Sequence, residues 1–512
     1  MYTVRIHSQL EDRLDAEFYN PEALKTVQKI DGLGKTKRLG QLISDGYRVV
    51  YHGTDAINGI AEEKLLPFLS PSQIDDQGNI DFSSVDKLPL YYKEDYPKGL
   101  AVAGELLIEV KGNVSKVGVV PEAFPKYLMV SGSLYKASFN AETNSRYVLA
   151  FLKSKHGQVL KNRLTSNTII NYIAKDALYS IPLFAAETDV QKYIGDKVRQ
   201  AEQLRAWAKL AETHVKQYHQ ALVPQQSRLD FAKRVRVVSP VRMSERLDAH
   251  FYPGVVDEYL RLHQGKFKQL GKLCVTVYNG QTQPEAGAED SCKQITVTNL
   301  SSSFLGGTPR EVEVPGKKDK FLKAYDILMC NAAHNKTYIG KDLTFVHSEA
   351  AILPSTEVMT IRVDRNQMPA SYVRAYLLTK LGYAQIQSTI RGITAHSYPD
   401  DMALLDIYVP DVADKDKEEW FACDEKLELA GKACEVATQL TNAAKLLIEA
   451  LIEGKLTEAE LITAEKALQA GTDRLDRYIL SRLNTDGIDG QGPALFSDLD
   501  ELYRLLAQAE VD

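Results

Sequence analysis

The chain has no apolar run approaching the roughly 20 residues that a bilayer-crossing helix needs, so no membrane span is expected. Its first residues, Met-Tyr-Thr-Val-Arg-Ile-His, lack the apolar core of a secretory signal, so export is not expected either. Cysteine is scarce and odd in number. Cys274, Cys292, Cys330, Cys423 and Cys434 form no CxxC pair, which argues against a zinc site and suits free thiols in a reducing cytoplasm. A basic surplus is also missing: 62 Lys and Arg face 68 Asp and Glu, for a net charge of −6. That argues against a general polyanion binder, although acidic helices can outweigh a locally basic groove in a bulk count.

Catalytic signatures are absent as well. There is no Walker A loop and no GxSxG elbow, and the ten histidines form neither HxH nor HExxH. Asn20-Pro21-Glu22 lacks the second proline and the aromatic of an amino-methyltransferase loop. Pro399-Asp400-Asp401 opens like a nuclease motif, but no Glu-x-Lys follows at strand spacing. The expectation is a protein that binds rather than catalyses.

What the chain does contain, it contains twice. Arg13-Leu-Asp-Ala-Glu-Phe-Tyr19 returns as Arg246-Leu-Asp-Ala-His-Phe-Tyr252. A Leu-Gly pair follows each copy (Leu39-Gly40, Leu270-Gly271), then strand-like segments and a polar loop. Next come the helix-like Tyr147-Val-Leu-Ala-Phe-Leu-Lys153 and Tyr372-Val-Arg-Ala-Tyr-Leu-Leu378. Each copy closes on Ile181-Pro182 or Val409-Pro410. Solenoid repeats have periods of about 20 to 50 residues, so this is a tandem of whole domains. The paired Arg, Asp and aromatics of the doubled motif read as a structural anchor rather than a site.

Length predicts about three domains. The first globular unit spans 1–185 and the second 227–415, each mixing strands with a few helices. In the first, Glu105–Lys111 and Lys116–Pro121 read as strands around a turn at Gly112–Ser115. In the second, Asp326–Cys330 precedes a polar loop, Asn331–Lys336, and then Tyr338–Lys341. Segments 186–226 and 416–452 are different. Val190, Ile194, Val198, Ala201, Leu204, Ala208, Ala211, Val215, Tyr218 and Leu222 recur at steps of three and four. Trp420, Cys423, Leu427, Ala430, Cys434, Ala437, Leu440, Ala444, Leu447 and Leu451 do the same. Such stripes predict two long helices packed antiparallel on each other. A helix of about 36 residues would be about 54 Å long, too long merely to cover its own unit. The remainder, 453–512, predicts helices near 457–483 and 497–509 around a turn-rich Asp486–Pro493, closing the helix pair or docking a partner. The fold class expected is α+β.

The best functional candidates are polar loops at equivalent places. In the first unit these are Lys111, Asn113, Ser115 and Lys116, with Thr165, Ser166, Asn167 and Thr168. In the second they are Asn331, His334, Asn335 and Lys336, with Arg391, Thr394, His396 and Ser397. These side-chain types hydrogen-bond base edges and phosphates, though any exposed turn carries them too. A repeated framework with altered loops suits two readers of two sequences.

The ordered set of motifs resembles the specificity (S) subunit of type I restriction–modification systems. The resemblance rests on the doubled Arg-Leu-Asp-Ala-x-Phe-Tyr and on Gly104-Glu-Leu-Leu-Ile-Glu-Val-Lys-Gly-Asn-Val-Ser-Lys-Val-Gly-Val-Val-Pro121, and it covers about 1–452. It implies two target-recognition domains that clamp duplex DNA, each reading one half of a split site, with the helix pair setting their separation. It implies no catalysis by this chain. The partners it implies are two DNA adenine methyltransferase subunits, which would carry the S-adenosylmethionine, and restriction or translocase subunits, in a cytoplasmic phage-defence complex. The helix-pair stripe, with Val190, Ile194, Val198, Leu204, Leu222, Trp420, Leu427, Leu440, Leu447 and Leu451, would then double as the docking surface. Three departures stand out. Ser115 sits where the family often has glycine, Phe68-Leu-Ser-Pro71 and Thr296-Val-Thr-Asn299 match each other only loosely, and 453–512 exceeds the family pattern. The alternatives are a scaffold that has lost DNA reading, or the recognition subunit of a variant defence system with another effector.

Overall fold

The doubled sequence folds twice into the same order of strands, and one short helix of the first copy has no counterpart among the described residues of the second. The computed structural model describes residues 13, 16–51, 55–165, 170–226, 229, 243, 246–287, 291–349 and 351–511. The chain divides into unit 1 (1–204 with 435–512) and unit 2 (205–434).

Unit 1 opens with helix α1 (Pro21–Asp31), capped by the Asn20 side chain on the Glu22 amide. Then come β1 (Thr36–Arg38), α2 (Leu39–Leu42), β2 (Ile43–Tyr47), β3 (Leu65–Leu69), β4 (Asp86–Pro89) and α3 (Tyr92–Asp95). β5 (Leu106–Glu109), β6 (Lys111–Gly112), β7 (Val117–Val119), β8 (Met129–Val130) and β9 (Leu134–Phe139) follow. α4 (Ser145–Lys153), α5 (Lys155–Asn162), β10 (Asn171–Tyr172), α6 (Lys175–Tyr179) and β11 (Pro182–Phe184) lead to the long α7 (Thr188–Ala221). Its sheets run β2-β9-β5-β7 and β4-β3-β8, with the pairs β1-β11 and β6-β10.

Unit 2 repeats this with α8 (Gly254–Leu262), β12 (Phe267–Gln269), α9 (Leu270–Leu273), β13 (Cys274–Asn279), β14 (Ser291–Ile295) and β15 (Arg310–Glu313). β16 (Ile327–Cys330), β17 (Ala332–Ala333), β18 (Leu343–Phe345), β19 (Ile352–Pro354) and β20 (Val358–Val363) come next. α10 (Ala370–Leu377), α11 (Lys380–Ser388), β21 (Ala395–His396), α12 (Pro399–Ala403) and β22 (Asp406–Tyr408) precede the long α13 (Lys417–Ile452). Its sheets run β13-β20-β16-β18 and β15-β14-β19, with β12-β22 and β17-β21: the same graph.

The central strands β5 and β16 are buried at every position, because one face meets the second sheet's core and the other meets a helix. Leu69, Leu107, Val130 and Leu134 form that core in unit 1; Ile295, Leu328 and Val358 do so in unit 2. The helical elbow is duplicated atom for atom. Ser154 Oγ donates to Phe151 O and accepts from Gly157 N; Thr379 Oγ1 donates to Tyr376 O and accepts from Gly382 N. A Cβ on Gly157 would lie 2.0 Å from Phe151 O, and one on Gly382 2.4 Å from Tyr376 O, so both elbows require glycine.

Three pairings drawn from the sequence shift in register. Ile181-Pro182 is equivalent not to Val409-Pro410 but to Leu405-Asp406, since Pro182 faces Arg38 as Asp406 faces Gln269. The counterpart of Thr296–Asn299 is Ser70–Gln73, not Phe68–Pro71. Both turns carry the same reciprocal cap, with Gln73 Oε1 on Ser70 N (2.8 Å) and Asn299 Oδ1 on Thr296 N (2.9 Å). Tyr338–Lys341 is no strand: Lys336–Tyr338 is a 3-10 turn and the strand is β18.

In unit 1, Val190, Ile194, Val198 and Leu204 of α7 and Leu440, Leu447 and Leu451 of α13 are buried. Arg146 grips Glu202 of α7 with two hydrogen-bonding nitrogens, at 2.8–3.1 Å. In unit 2, Trp420 and Leu427 of α13 are buried while Leu222, just past α7, is half-buried. There Arg374 holds Glu212 of α7 at 2.7 Å, and Asp424 of α13 accepts the Ala370 and Ser371 amides at the start of α10. No described helix is long and apolar enough to cross a membrane.

The end of the chain belongs to unit 1. It comprises α14 (Glu458–Gln469), α15 (Arg474–Ser481), a hairpin of β23 (Leu483–Asn484) and β24 (Gly487–Ile488), and α16 (Leu499–Val511). The helix expected over 457–483 breaks at Gly471, which adopts φ +80°. Asp476 docks this section on α7 from a buried position, pairing with Lys197 at 2.7 Å and accepting the Tyr193 and Tyr503 hydroxyls. Burial pushes its carboxyl up, yet Lys197 and the two hydroxyls hold it below the usual carboxylate range.

Candidate nucleic-acid interface

In unit 2 the two candidate stretches meet, and in unit 1 the hairpin meets the chain just past the second stretch. Lys111-Gly112 pairs with Asn171-Tyr172 in β6–β10, and Ala332-Ala333 pairs with Ala395-His396 in β17–β21. The polar hairpin and the loop after the second helix therefore form one edge in each unit. Ser166, Asn167 and Thr168 lie outside the described residues.

In unit 1 the hairpin wraps a carboxylate. Glu109 Oε1 accepts from Asn113 N (3.1 Å), and Oε2 accepts from Ser115 N (2.9 Å) and Lys116 N (3.1 Å). The turn this demands puts Gly112 at φ +119°, where a Cβ would sit 2.7 Å from Glu109 Oε1. Backbone donors that would suit a phosphate are thus already taken. Lys111 and Asn113 present exposed side chains, and Ser115 is half-buried. Lys116 pairs with Asp76 and holds that carboxyl below the usual carboxylate range. Thr165 is half-buried, its hydroxyl donating to Asn162 O at 2.7 Å. Behind the loop, Lys161 is fully buried and has no hydrogen-bond partner; burial first, then Lys153, brings its ammonium down to about 7, with Glu109 opposing.

In unit 2 the same edge is built differently. Asn331 is 3 % exposed, its side-chain Nδ2 donating to Thr356 O (3.0 Å) and its main-chain carbonyl accepting from Ser397 N (2.8 Å). Ser397 is also buried, its hydroxyl 2.7 Å from that of Thr389. Both residues hold the edge together from inside. His334, Asn335, Lys336, Arg391 and Thr394 are exposed, and His396 is half-buried. Asn335 caps the turn, accepting from the Thr337 amide and hydroxyl. Arg391 lies over the Tyr398 ring (4.6 Å) and pairs with Asp401 at 2.8 Å, while His396 stacks beside Tyr398. Asp401, the residue that hinted at a nuclease, is buried between Arg391 and Arg246.

The doubled motif anchors these edges. Tyr19 OH donates to Arg13 O (2.7 Å) and Tyr252 OH to Arg246 O (2.6 Å), closing the same loop twice. Arg13 lies 5.1 Å from the Phe18 ring centre and donates to Leu164 O and Thr165 O; Arg246 lies 4.5 Å from that of Phe251 and donates to Thr389 O. Each arginine so binds carbonyls just past the second helix, where the candidate loop begins.

Glu109 and Arg48 were missed by sequence reasoning. An acid inside the apolar run Leu106–Val110 was a legible signal for the first, since a carboxylate on a buried strand needs donors. Nothing in the sequence marks Arg48. Among the described residues no cluster suits a metal ion. Burial pushes the Cys274 and Cys423 thiols up to about 12, away from nucleophilic use.

No protein-family model matches the chain, and no curated protein matches it either. The solved structures it resembles include proteins of type I restriction–modification systems. The S subunit from M. genitalium is 13% identical over 84% of this chain and 95% of its own, with a TM-score of 0.35. The HsdS subunit from Thermoanaerobacter tengcongensis is 14% identical over 82% and 97%, with a TM-score of 0.27. A structure concerned with complex assembly and conformational transition of the type I R-M system gives 14%, 82%, 98% and 0.27. TM-scores this low transfer no function, so the functional reading rests on the chain's own residues.

Proposed function

We propose that the chain is the non-catalytic DNA sequence-recognition subunit of a type I restriction–modification complex. The observation that carries this is the duplicated edge: one topology, used twice, presents β6–β10 and β17–β21 with different side chains. Two readers of one design suit a bipartite duplex site whose half-sites lie about one turn, 34–36 Å, apart. The long helices α7 and α13 would pair as the spacer and dock two adenine methyltransferase subunits, which would bind S-adenosylmethionine. Restriction or translocase subunits would join through them.

Co-expression with whatever methyltransferase the neighbouring genes encode, followed by mapping of methylated adenines across the host genome, tests the reading. A single split motif with a fixed gap is expected; no motif, despite an active methyltransferase that co-purifies with the chain, sinks it. Removing one heptad from 190–222 and a matching one from 420–451 should change the gap and leave both half-sites intact.

The net charge of −6 favours a second reading, a scaffold that joins protein partners and has lost DNA reading. Its DNA affinity would barely change with salt, whereas phosphate contacts weaken steeply.

A further inference from the structure

Beside β6–β10 in unit 1 opens a cleft with room for about 300 Å³. Tyr47, Arg48, Val50, Tyr135, Tyr172 and Lys175 line it. Tyr172 sits in β10 opposite Lys111, so the cleft borders the candidate loop. Arg48 is held in place: Nε donates to Gly132 O (2.6 Å), Nη1 to Tyr172 OH (3.3 Å), and the guanidinium lies 5.3 Å from the Tyr172 ring centre. The Lys98 ammonium lies 5.5 Å from the Tyr47 ring, and that of the exposed Lys175 lies 5.1 Å from the Tyr179 ring.

This chemistry belongs to unit 1 alone. The strand registers place Tyr278, Asn279, Met359 and His396 of unit 2 where Tyr47, Arg48, Tyr135 and Tyr172 stand in unit 1. Unit 2 keeps one of the three tyrosines and not the arginine. Its Tyr278 hydroxyl is already engaged by Arg362 (3.2 Å) and Lys320 O (3.3 Å).

A base within the duplex shows a protein only its edges, which protruding side chains reach in the grooves. A recess lined by rings cannot reach those edges. It receives a base that has left the stack, whose faces meet the rings while cations meet its phosphate. We propose that the cleft holds one unstacked nucleotide, its base among Tyr47, Tyr135 and Tyr172 and its phosphate toward Arg48 and Lys175. The nucleotide would come from bound DNA, which rests on the reading of unit 1 as a DNA reader, or from free mononucleotide.

The test uses the full-length chain and fluorescence anisotropy with an intact duplex, the same duplex carrying a single-base bulge, and nucleoside monophosphates as competitors. The bulged duplex is expected to bind roughly tenfold tighter than the intact one. Arg48→Ala and Tyr172→Ala should abolish that preference, each variant binding the bulged and the intact duplex equally, while Tyr172→Phe should keep most of it. Lys175→Ala, at an exposed position, should weaken the preference several-fold and decides the matter if the other variants unfold. Equal affinity for both duplexes, with monophosphates bound by the wild type and lost in Lys175→Ala, assigns the cleft to free nucleotide. Equal affinity with no monophosphate binding overturns the proposal. If neither duplex is bound at any salt, DNA reading fails, and the monophosphate measurement still judges the cleft.

Discussion

At one place in each unit, the two copies solve the same problem with opposite chemistry. Unit 1 puts Glu109 at the end of its central strand and buries Lys161 behind it. The registers place Cys330 and Ile386 at those positions in unit 2. In unit 1 a carboxylate gathers three backbone donors and shapes the hairpin; in unit 2 a buried asparagine and a capped turn do so. The scaffold is indifferent to which device is used, because both satisfy the same edge strand. The loop shape is not indifferent, and that is how a duplicated frame can present two different surfaces.

Glu109→Ala breaks this contrast hardest. It frees three amides and removes the carboxylate charge that favours the Lys161 ammonium, so unit 1 should lose about 3 kcal/mol. Cys330→Ala in unit 2 should cost about 1–2 kcal/mol. Hydrogen exchange resolved by unit checks this, and equal losses would show that the carboxylate does not organise the hairpin.

Lys161→Met moves unit 1 toward unit 2 and should stabilise it by roughly 2–4 kcal/mol at low pH. Below about pH 7 both folded and unfolded chains carry the Lys161 proton, so the burial penalty is complete there. Between about 7 and the ordinary 10.5 only the unfolded chain keeps it, so the penalty fades as pH rises. The gain from Lys161→Met should therefore shrink over that window in urea titrations; a gain independent of pH would mean that packing, not charge, drives it.

Arg13→Ala and Arg246→Ala should each cost about 1–2 kcal/mol and loosen the loop after the second helix in their own unit only. Protection lost in both units from one substitution would contradict separate anchors. The smallest contrast is between two loop asparagines. Asn335→Ala removes a turn cap and should cost about 1 kcal/mol. Asn113→Ala should stay within about 0.5 kcal/mol, since only its backbone is used.

The long helices were legible because a stripe at three- and four-residue steps is a local property: α13 covers 417–452 against an expected 416–452. The duplication was legible in its anchors, Leu-Gly pairs and helix motifs, all of which fall at equivalent places. It was misaligned where short turns carry few apolar residues, as at Ser70–Gln73 and Ile181-Pro182, because hydrogen-bond register and not residue identity defines equivalence there. Of the candidate residues, composition picked polar loops but could not separate Asn331 and Ser397, which face inward, from Asn335 and Arg391, which face out.

By itself the sequence determined the duplication, the mixed helix and strand content, the two long helices and the stretches that carry the polar loops. Those features follow from periodicity and repetition along the chain. Tertiary structure alone decided that each hairpin pairs with the loop beyond the second helix, that Glu109 occupies one hairpin, and that Arg48 meets Tyr172 across a cleft. Each of these joins residues distant along the chain, and the burial and hydrogen bonds that select such contacts exist only once the strands have found their register.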